Sequence, residues 1–268
     1  MNSLQTGQFY GNTTETTKHN GLTLTDTEYT HDRVDWHYHE NAYFTFILNG
    51  RVIEGNKKEI YHCTAGSLLF HNWEEAHYNI KPKGYTRGFH IEVARDWFNA
   101  YGIDPNKLQG SINLTDPQLK VLMYTVFKEA KLDGMTGTLA INALLAELFS
   151  KAIGAEVQAS RQKPLWVKQL RDILHDNAVE QWSLQPLAQQ LGIHPVHLSR
   201  DFSKYFNCGL GEYIRTIRVQ KALSLLPDAT TSLTNIALEC GFADQSHFTR
   251  SFKSLYQVTP LAYRNLLV

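Results

Sequence analysis

Two kinds of hydrophobic spacing divide the chain. From Leu22 to about Val93, short runs of β-branched and aromatic residues are broken by Gly and Asn turns. Ala42 to Leu48, Gly66 to Phe70 and Ile91 to Val93 are such runs, and each predicts a strand. Asn49-Gly50 carries the signal of a tight hairpin. Many short strands at close spacing predict a small sandwich or barrel. Residues 1–20 are polar and read as a flexible arm, which leaves 21–153 as the first domain.

From Asp116 the period changes to three and four. Asp116-Pro117 starts a helix with Leu119, Leu122, Met123, Val126, Phe127 and Ala130 on one stripe. After Asp133-Gly134, a second helix is predicted from Thr138 to Ile153, with Ile141, Leu144, Leu145, Leu148 and Phe149 on a broad apolar face. These helices are expected to cover the barrel and in part to pair two subunits. Residues 154–163 are small and polar and read as a linker, with Pro164 after it. A helix follows from Trp166 to about Asn177, turning Trp166, Leu170, Ile173 and Leu174 inward.

Within 164–268 one passage occurs twice. His197-Leu198-Ser199-Arg200-Asp201-Phe202 is echoed by His247-Phe248-Thr249-Arg250-Ser251-Phe252. Such a repeat marks a duplicated supersecondary unit. Before the first copy, Ser183 is a candidate N-cap, and Leu184, Leu187, Ala188 and Leu191 keep helical spacing. Gly192 ends that helix, and Pro195 suits the first turn of the next. The second copy uses Ser232, Leu233, Ile236, Ala237 and Cys240, then Gly241, then Asp244 as a cap. Two short helices around a Gly turn are a helix-turn-helix, whose second helix can enter the DNA major groove. The residues left outside the apolar stripes suit base edges: Arg for guanine, Gln for adenine, Ser or Thr for several.

Together with Gly211-Glu-Tyr-Ile-Arg-Thr-Ile-Arg218, Ile236 to Phe242 and Thr259-Pro-Leu-Ala-Tyr-Arg264, these passages resemble the DNA-binding domain of the AraC/XylS transcription regulators. The resemblance covers about 164–268. It implies two helix-turn-helix units joined by a long helix, Leu210 to Leu226 here, that sets two recognition helices about 34 Å apart. By that analogy Val196, Ser199 and Arg200 face bases from the first unit, and Gln245, Ser246, Thr249 and Arg250 from the second. Lys204, Arg218 and Lys253 are expected on phosphates, which supply affinity rather than sequence choice. The implied partners are double-stranded promoter DNA, RNA polymerase, a small effector and a second copy in a homodimer. Activation is the commoner outcome in the family.

Trp36-His-Tyr-His-Glu40 and Ala65 to Phe70, followed by His77, resemble the cupin-like sensor domain that often precedes this DNA-binding domain. The expected fold class is therefore α+β, with a cupin-like barrel or sandwich and two helices, then an all-α domain. Trp36, His37, Tyr38, His39, Phe44, Phe46, Trp73, His77 and His90 are candidates for an effector pocket. His-x-His on one strand puts both rings on one face, so His37, His39 and His77 are the residues that would hold a metal. Glu40 follows His39 directly, where a cupin expects its Glu a few residues on. Sensor domains of the family usually lack the cupin metal, so no metal, no cofactor and no enzyme activity are expected. A metal-dependent cupin enzyme fused to a DNA-binding domain, and a regulator without a small effector, are the alternatives.

Composition changes little of this. The 268 residues are 43% hydrophobic with a formal net charge of zero, and 164–268 is only slightly basic. Any affinity for DNA must come from local charge on the recognition helices. Cys63, Cys208 and Cys240 lack pairwise spacing, which suits reduced thiols in the cytoplasm. No signal peptide and no membrane span are expected.

Overall fold

The computed structural model describes residues 2–131, 135–159, 164–206 and 208–267. They form two compact units, Met1–Gln158 and Ala159–Leu266. The Asp133-Gly134 turn and the end of the expected linker, 160–163, lie outside the described residues.

The first unit is built from strands β1 (Asn2–Leu4), β2 (Asn12–His19), β3 (Leu22–Glu28), β4 (Arg33–His39), β5 (Ala42–Asn49), β6 (Arg51–Asn56), β7 (Ile60–Thr64), β8 (Leu68–His71), β9 (His77–Ile80), β10 (Arg87–Val93) and β11 (Ser111–Asn113). Five of them form a sheet in the order β1-β4-β9-β6-β7, and six form another in the order β11-β8-β5-β10-β3-β2. Helices α1 (Arg95–Tyr101), α2 (Pro117–Lys131) and α3 (Met135–Ala159) complete the unit, an α+β arrangement of two sheets and helices.

The centre of the six-stranded sheet is buried on both faces, as the unbroken buried run from Ala42 to Leu48 records, while its edge strand β2 is mostly exposed. Alternation sends Phe44, Phe46 and Leu48 to one face and Tyr43, Thr45 and Ile47 to the other. On the first face Phe44 packs against Phe70 and Phe149, and Phe89 against Phe127 of α2. That face is thus the core shared with the helices. The second face looks across the barrel.

Three expectations change. Asn49-Gly50 does not join two paired strands: β5 pairs with β8 and β10, while β6 pairs with β7 and β9. The dipeptide is a corner where the chain crosses between sheets. Gly50 is required there, with φ +79° and the Tyr85 carbonyl 2.1 Å from where a Cβ would sit. The described part of the expected arm, residues 2–20, is not free either. β1 pairs in parallel with β4, and β2 pairs with β3 along its length. Finally, α3 continues through Gly154 to Ala159, so the stretch from 154 begins as helix. Good helix formers on both sides outweigh one Gly, which costs only about 1 kcal/mol.

A buried ion cluster ties α2 to the sheet. Asp26 accepts from Arg87 through both carboxylate oxygens at 2.7 Å and from Lys131 at 2.8 Å. Lys131 also bonds Glu15 of β2.

The second unit is all helix: α4 (Leu165–Asp176), α5 (Leu184–Gln190), α6 (Pro195–Phe206), α7 (Leu210–Leu223), α8 (Leu233–Glu239), α9 (Gln245–Tyr256) and α10 (Pro260–Leu267). Its core repeats. Phe202, Phe206 and Tyr213 pack together with ring centroids 4.3 to 5.9 Å apart. Phe252, Tyr256 and Tyr263, each fifty positions later (202 to 252, 206 to 256, 213 to 263), pack in the same way at 4.9 to 5.9 Å. Helix α7 closes the first trio and begins the second half. It is buried on several faces, with Tyr213, Ile214, Thr216, Ile217, Arg218, Val219, Ala222 and Leu223 all inside.

Burial pushes the Asp26 carboxyl up, but Arg87 and Lys131 outweigh it and hold its pKa below the ordinary 3.8. A depressed folded-state pKa adds stability at neutral pH that is lost as pH falls through the folded value. Denaturant titrations should therefore show the first unit weakening once pH drops below the ordinary carboxyl range. Asp26→Asn should flatten that acid limb and cost about 3 kcal/mol at neutral pH.

Candidate DNA-reading faces and sensor cavity

In the second unit, both second helices start where capping requires. Pro195 is the first residue of α6. Asp244 caps α9 by accepting from the His247 amide at 2.7 Å, and Ser232 caps α8 by accepting from Asn235 at 3.1 Å. Ser183 stands at the N-cap of α5 but makes no side-chain capping bond. The turn glycines both have left-handed backbones, Gly192 at φ +66° and Gly241 at +82°. Gly241 is further constrained by contact: a Cβ there would sit 2.8 Å from Val179 Cα.

Leu198, Phe202 and Phe206 bury one face of α6, leaving Val196, Ser199, Arg200 and Lys204 exposed. Phe248, Phe252 and Tyr256 do the same for α9, leaving Gln245, Ser246, Arg250 and Lys253 exposed and Thr249 half-buried. The two faces differ in how they are held. The Arg200 guanidinium donates to both carboxylate oxygens of Asp201, at 2.9 and 3.2 Å. Arg250 has no side-chain hydrogen bond among the described residues. The Gln245 carbonyl oxygen accepts from the Thr234 hydroxyl at 2.7 Å, which orients its amide.

Arg218 departs from its expected role. It is buried, and its guanidinium donates to the main-chain carbonyls of Ala178, Val179 and Glu180 at 2.8, 3.3 and 2.7 Å. A cation spent on three carbonyls is not offered to a phosphate. Arg264 repeats the device in the second half, donating to the carbonyls of Leu226 and Thr231 at 2.8 and 2.9 Å. Each Arg fastens the chain just ahead of its helix-turn-helix. Cys240 is buried against this core, with its thiol pushed up to about 12 by burial, so it is an inert packing residue.

In the first unit, a cavity of about 40 Å³ lies inside the barrel. Of the expected pocket residues, His37, His39, His77 and His90 line it. The others do not. Phe44 and Phe46 face the helices, because their parity on β5 is opposite to that of Tyr43 and Thr45. Trp36 is exposed and packs its edge on Tyr78. Trp73 is half-buried under the Arg95 guanidinium, and Tyr38 is half-buried on β4. Tyr43, Thr45, Glu54 and Asn79 also line the cavity, as strand parity would indicate, and so do Phe9 and Tyr10, which nothing local in the chain signals. Phe9 stacks on His90 at 3.8 Å, and Tyr10 meets His37 edge-on at 5.1 Å.

The cavity wall is densely hydrogen-bonded. His90 is held between Thr45 at 3.0 Å and Tyr29 at 3.2 Å. The Tyr43 hydroxyl meets His77 Nε2 at 2.9 Å. Glu92 accepts from the Gly7 amide. Burial lowers the pKa of His37, His39, His77 and His90, the last to about 3, so these rings are neutral at neutral pH. The same burial raises Glu92 to about 7. His37, His39 and His77 bring ligand atoms within 4.8 Å of one another. At the other end the interior turns apolar with Ile47, Val52, Cys63 and Leu69.

The duplicated helix pairs define a tandem helix-turn-helix protein, and a helix-turn-helix domain model matches residues 187–266. Those residues carry a DNA-binding domain of the AraC type. It is 26% identical over 166 residues to an uncharacterized HTH-type transcriptional regulator of Haemophilus influenzae, covering 57% of this chain and 54% of that protein. It is 37% identical over 81 residues to the probable transcription factor PqrA of Proteus vulgaris, covering 30% and 66%. A structure of ToxT from Vibrio cholerae aligns over 91% of this chain and 99% of that one, at 13% identity and a TM-score of 0.39. The chain spans about half to two thirds of the length of the first curated relatives it matches. No helix among the described residues is long and apolar enough to cross a membrane.

Arg218→Lys should destabilise the second unit by about 2–4 kcal/mol, since one ammonium cannot serve three carbonyls in fork geometry. The folded variant should keep the salt dependence of DNA binding unchanged. Loss of a phosphate contact would instead lower the slope of log K against log salt by about 0.9.

Proposed function

We propose that the protein is a sequence-specific DNA-binding transcription regulator whose barrel senses a small molecule. The observation that carries this reading is the duplicated core, which exposes Arg200 with Ser199 on one helix and Arg250 with Gln245 and Ser246 on the other. In this reading α6 and α9 occupy successive major grooves of double-stranded promoter DNA. Val196, Ser199, Arg200, Gln245, Ser246, Thr249 and Arg250 read bases, while Lys204 and Lys253 contact phosphates. Arg200 exchanges its Asp201 partner for a guanine edge. Arg250 has no such partner to give up, so it contributes the larger share.

The barrel supplies control. Its cavity is small in this conformation, so an organic effector enters by displacing Phe9 and Tyr10. Occupancy then favours one of two pre-existing states of the regulator. The protein works in the cytoplasm as a homodimer that activates transcription through RNA polymerase. Leu139, 75% exposed on α3 beside exposed Ala143, supports a subunit contact there.

Binding to a selected operator, followed by fluorescence anisotropy, tests the base-reading assignment. Arg250→Ala and Arg200→Ala should each cost about 1–3 kcal/mol and relax preference at a single position. Lys253→Ala should weaken all sequences alike and reduce the salt slope. Unchanged affinity and preference in both Arg variants would remove the assignment.

A further inference from the structure

We propose that His37, His39 and His77 form a binding site for a divalent ion of the zinc type inside the barrel. The site concerns the sensor cavity alone and does not rest on how the second unit reads DNA. β4 and β9 are antiparallel neighbours with His37 opposite His77, and His39 lies two residues along the same face. All three are 2 to 3% exposed, and their ligand atoms lie within 4.8 Å of one another.

The hydrogen bonds behind the rings decide which nitrogen faces the cavity. His37 Nδ1 lies 2.9 Å from the Asp35 carbonyl oxygen, and His77 Nδ1 lies 3.0 Å from that of Glu75. A carbonyl only accepts, so in both rings Nδ1 carries the proton and Nε2 carries the lone pair. This is the backing that orients histidine metal ligands and fixes their tautomer. His39 lacks it at present: its Nδ1 has no hydrogen-bond partner and sits 3.9 Å from Glu92 Oε1, which also has none. Both atoms are buried, so each is a polar group left unsatisfied at a cost. A small swing of His39 toward Glu92 would satisfy both and turn His39 Nε2 to the same point as the other two.

Three neutral imidazoles without a thiolate select zinc, cobalt or nickel over magnesium or calcium. Tetrahedral zinc, with bonds of about 2.0–2.1 Å, needs nitrogens about 3.4 Å apart, so the rings must close by on the order of 1 Å. The incoming ion takes the His77 lone pair now met by the Tyr43 hydroxyl. Glu54 lines the same cavity and supplies compensating negative charge. The cavity leaves room for water or a small ligand at the open coordination position.

The protein, stripped with a chelator and dialysed against Zn²⁺, should retain one ion per chain and gain thermal stability. His37→Gln and His77→Gln should each weaken Zn²⁺ binding by more than about 100-fold, since loss of outer partners alone costs about 10–100-fold. Glu92→Gln should fall within that lower range. His197→Gln, on the exposed face of α6, should leave binding unchanged. Retention of less than one ion, or binding that follows His197 rather than the three, overturns the proposal. Should the ligand variants fail to fold, Co²⁺ added to the unaltered protein decides. Intense visible bands of a four- or five-coordinate site support it, and a pale six-coordinate spectrum or none overturns it.

Discussion

The second unit depends on one guanidinium. Arg218 reaches from the middle of α7 to three carbonyls that follow α4, and a buried cation tolerates no looser arrangement. Once it is seated, the chain around Val179 lies so close to the second turn that only Gly fits at 241. Arg218 thereby joins the segment before the first helix-turn-helix to the turn of the second. Arg264 performs the matching task for the loop before α8. These clamps, with the two aromatic trios, tie both helix-turn-helix units into the packing of the second unit.

The first unit follows a different logic. Its six-stranded sheet presents an apolar face to the helices and a mixed one to the barrel interior. The outer face carries the packing, so the inner face is free to hold groups that a core normally excludes. His90 is satisfied by two hydroxyls, and Glu54 accepts from Asn79. His71 Nε2 lies 3.1 Å from Glu54 Oε1, whereas His39 Nδ1 and Glu92 Oε1, 3.9 Å apart, are buried without a hydrogen-bond partner. Buried polar atoms without partners are expensive, and they concentrate where an occupant can satisfy them. Phe9 and Tyr10 close the same space from the N-terminal segment. The packing against the helices and the polar cavity thus use opposite faces of a single sheet.

The two units were legible to different degrees. The repeat, the Gly turns and the Asp244 and Ser232 caps were readable because each depends on residues within one or two helical turns. Helical period likewise placed Leu119, Met123, Val126 and Phe127 of α2 inside. Ser183 shows the limit of that reading, since a good capping residue occupies the right position and makes no cap bond. In the barrel, aromatic content alone put Phe44 and Phe46 in the pocket. Strand parity was needed to exchange them for Tyr43 and Thr45.

The sequence by itself determined the duplicated helix-turn-helix, which residues of α6 and α9 stay outside, and the presence of a small strand-rich domain before them. Those are consequences of period and of local backbone preference. Tertiary structure alone decided that Arg218 serves the protein's own backbone, that Asn49-Gly50 is a crossing between sheets, and that residues 2–20 belong to the barrel. It also brought Gly7 to Glu92 across 85 positions and His77 to Tyr43 across 34. Pairings at such separations depend on which strands become neighbours, and no local pattern in the chain encodes that choice.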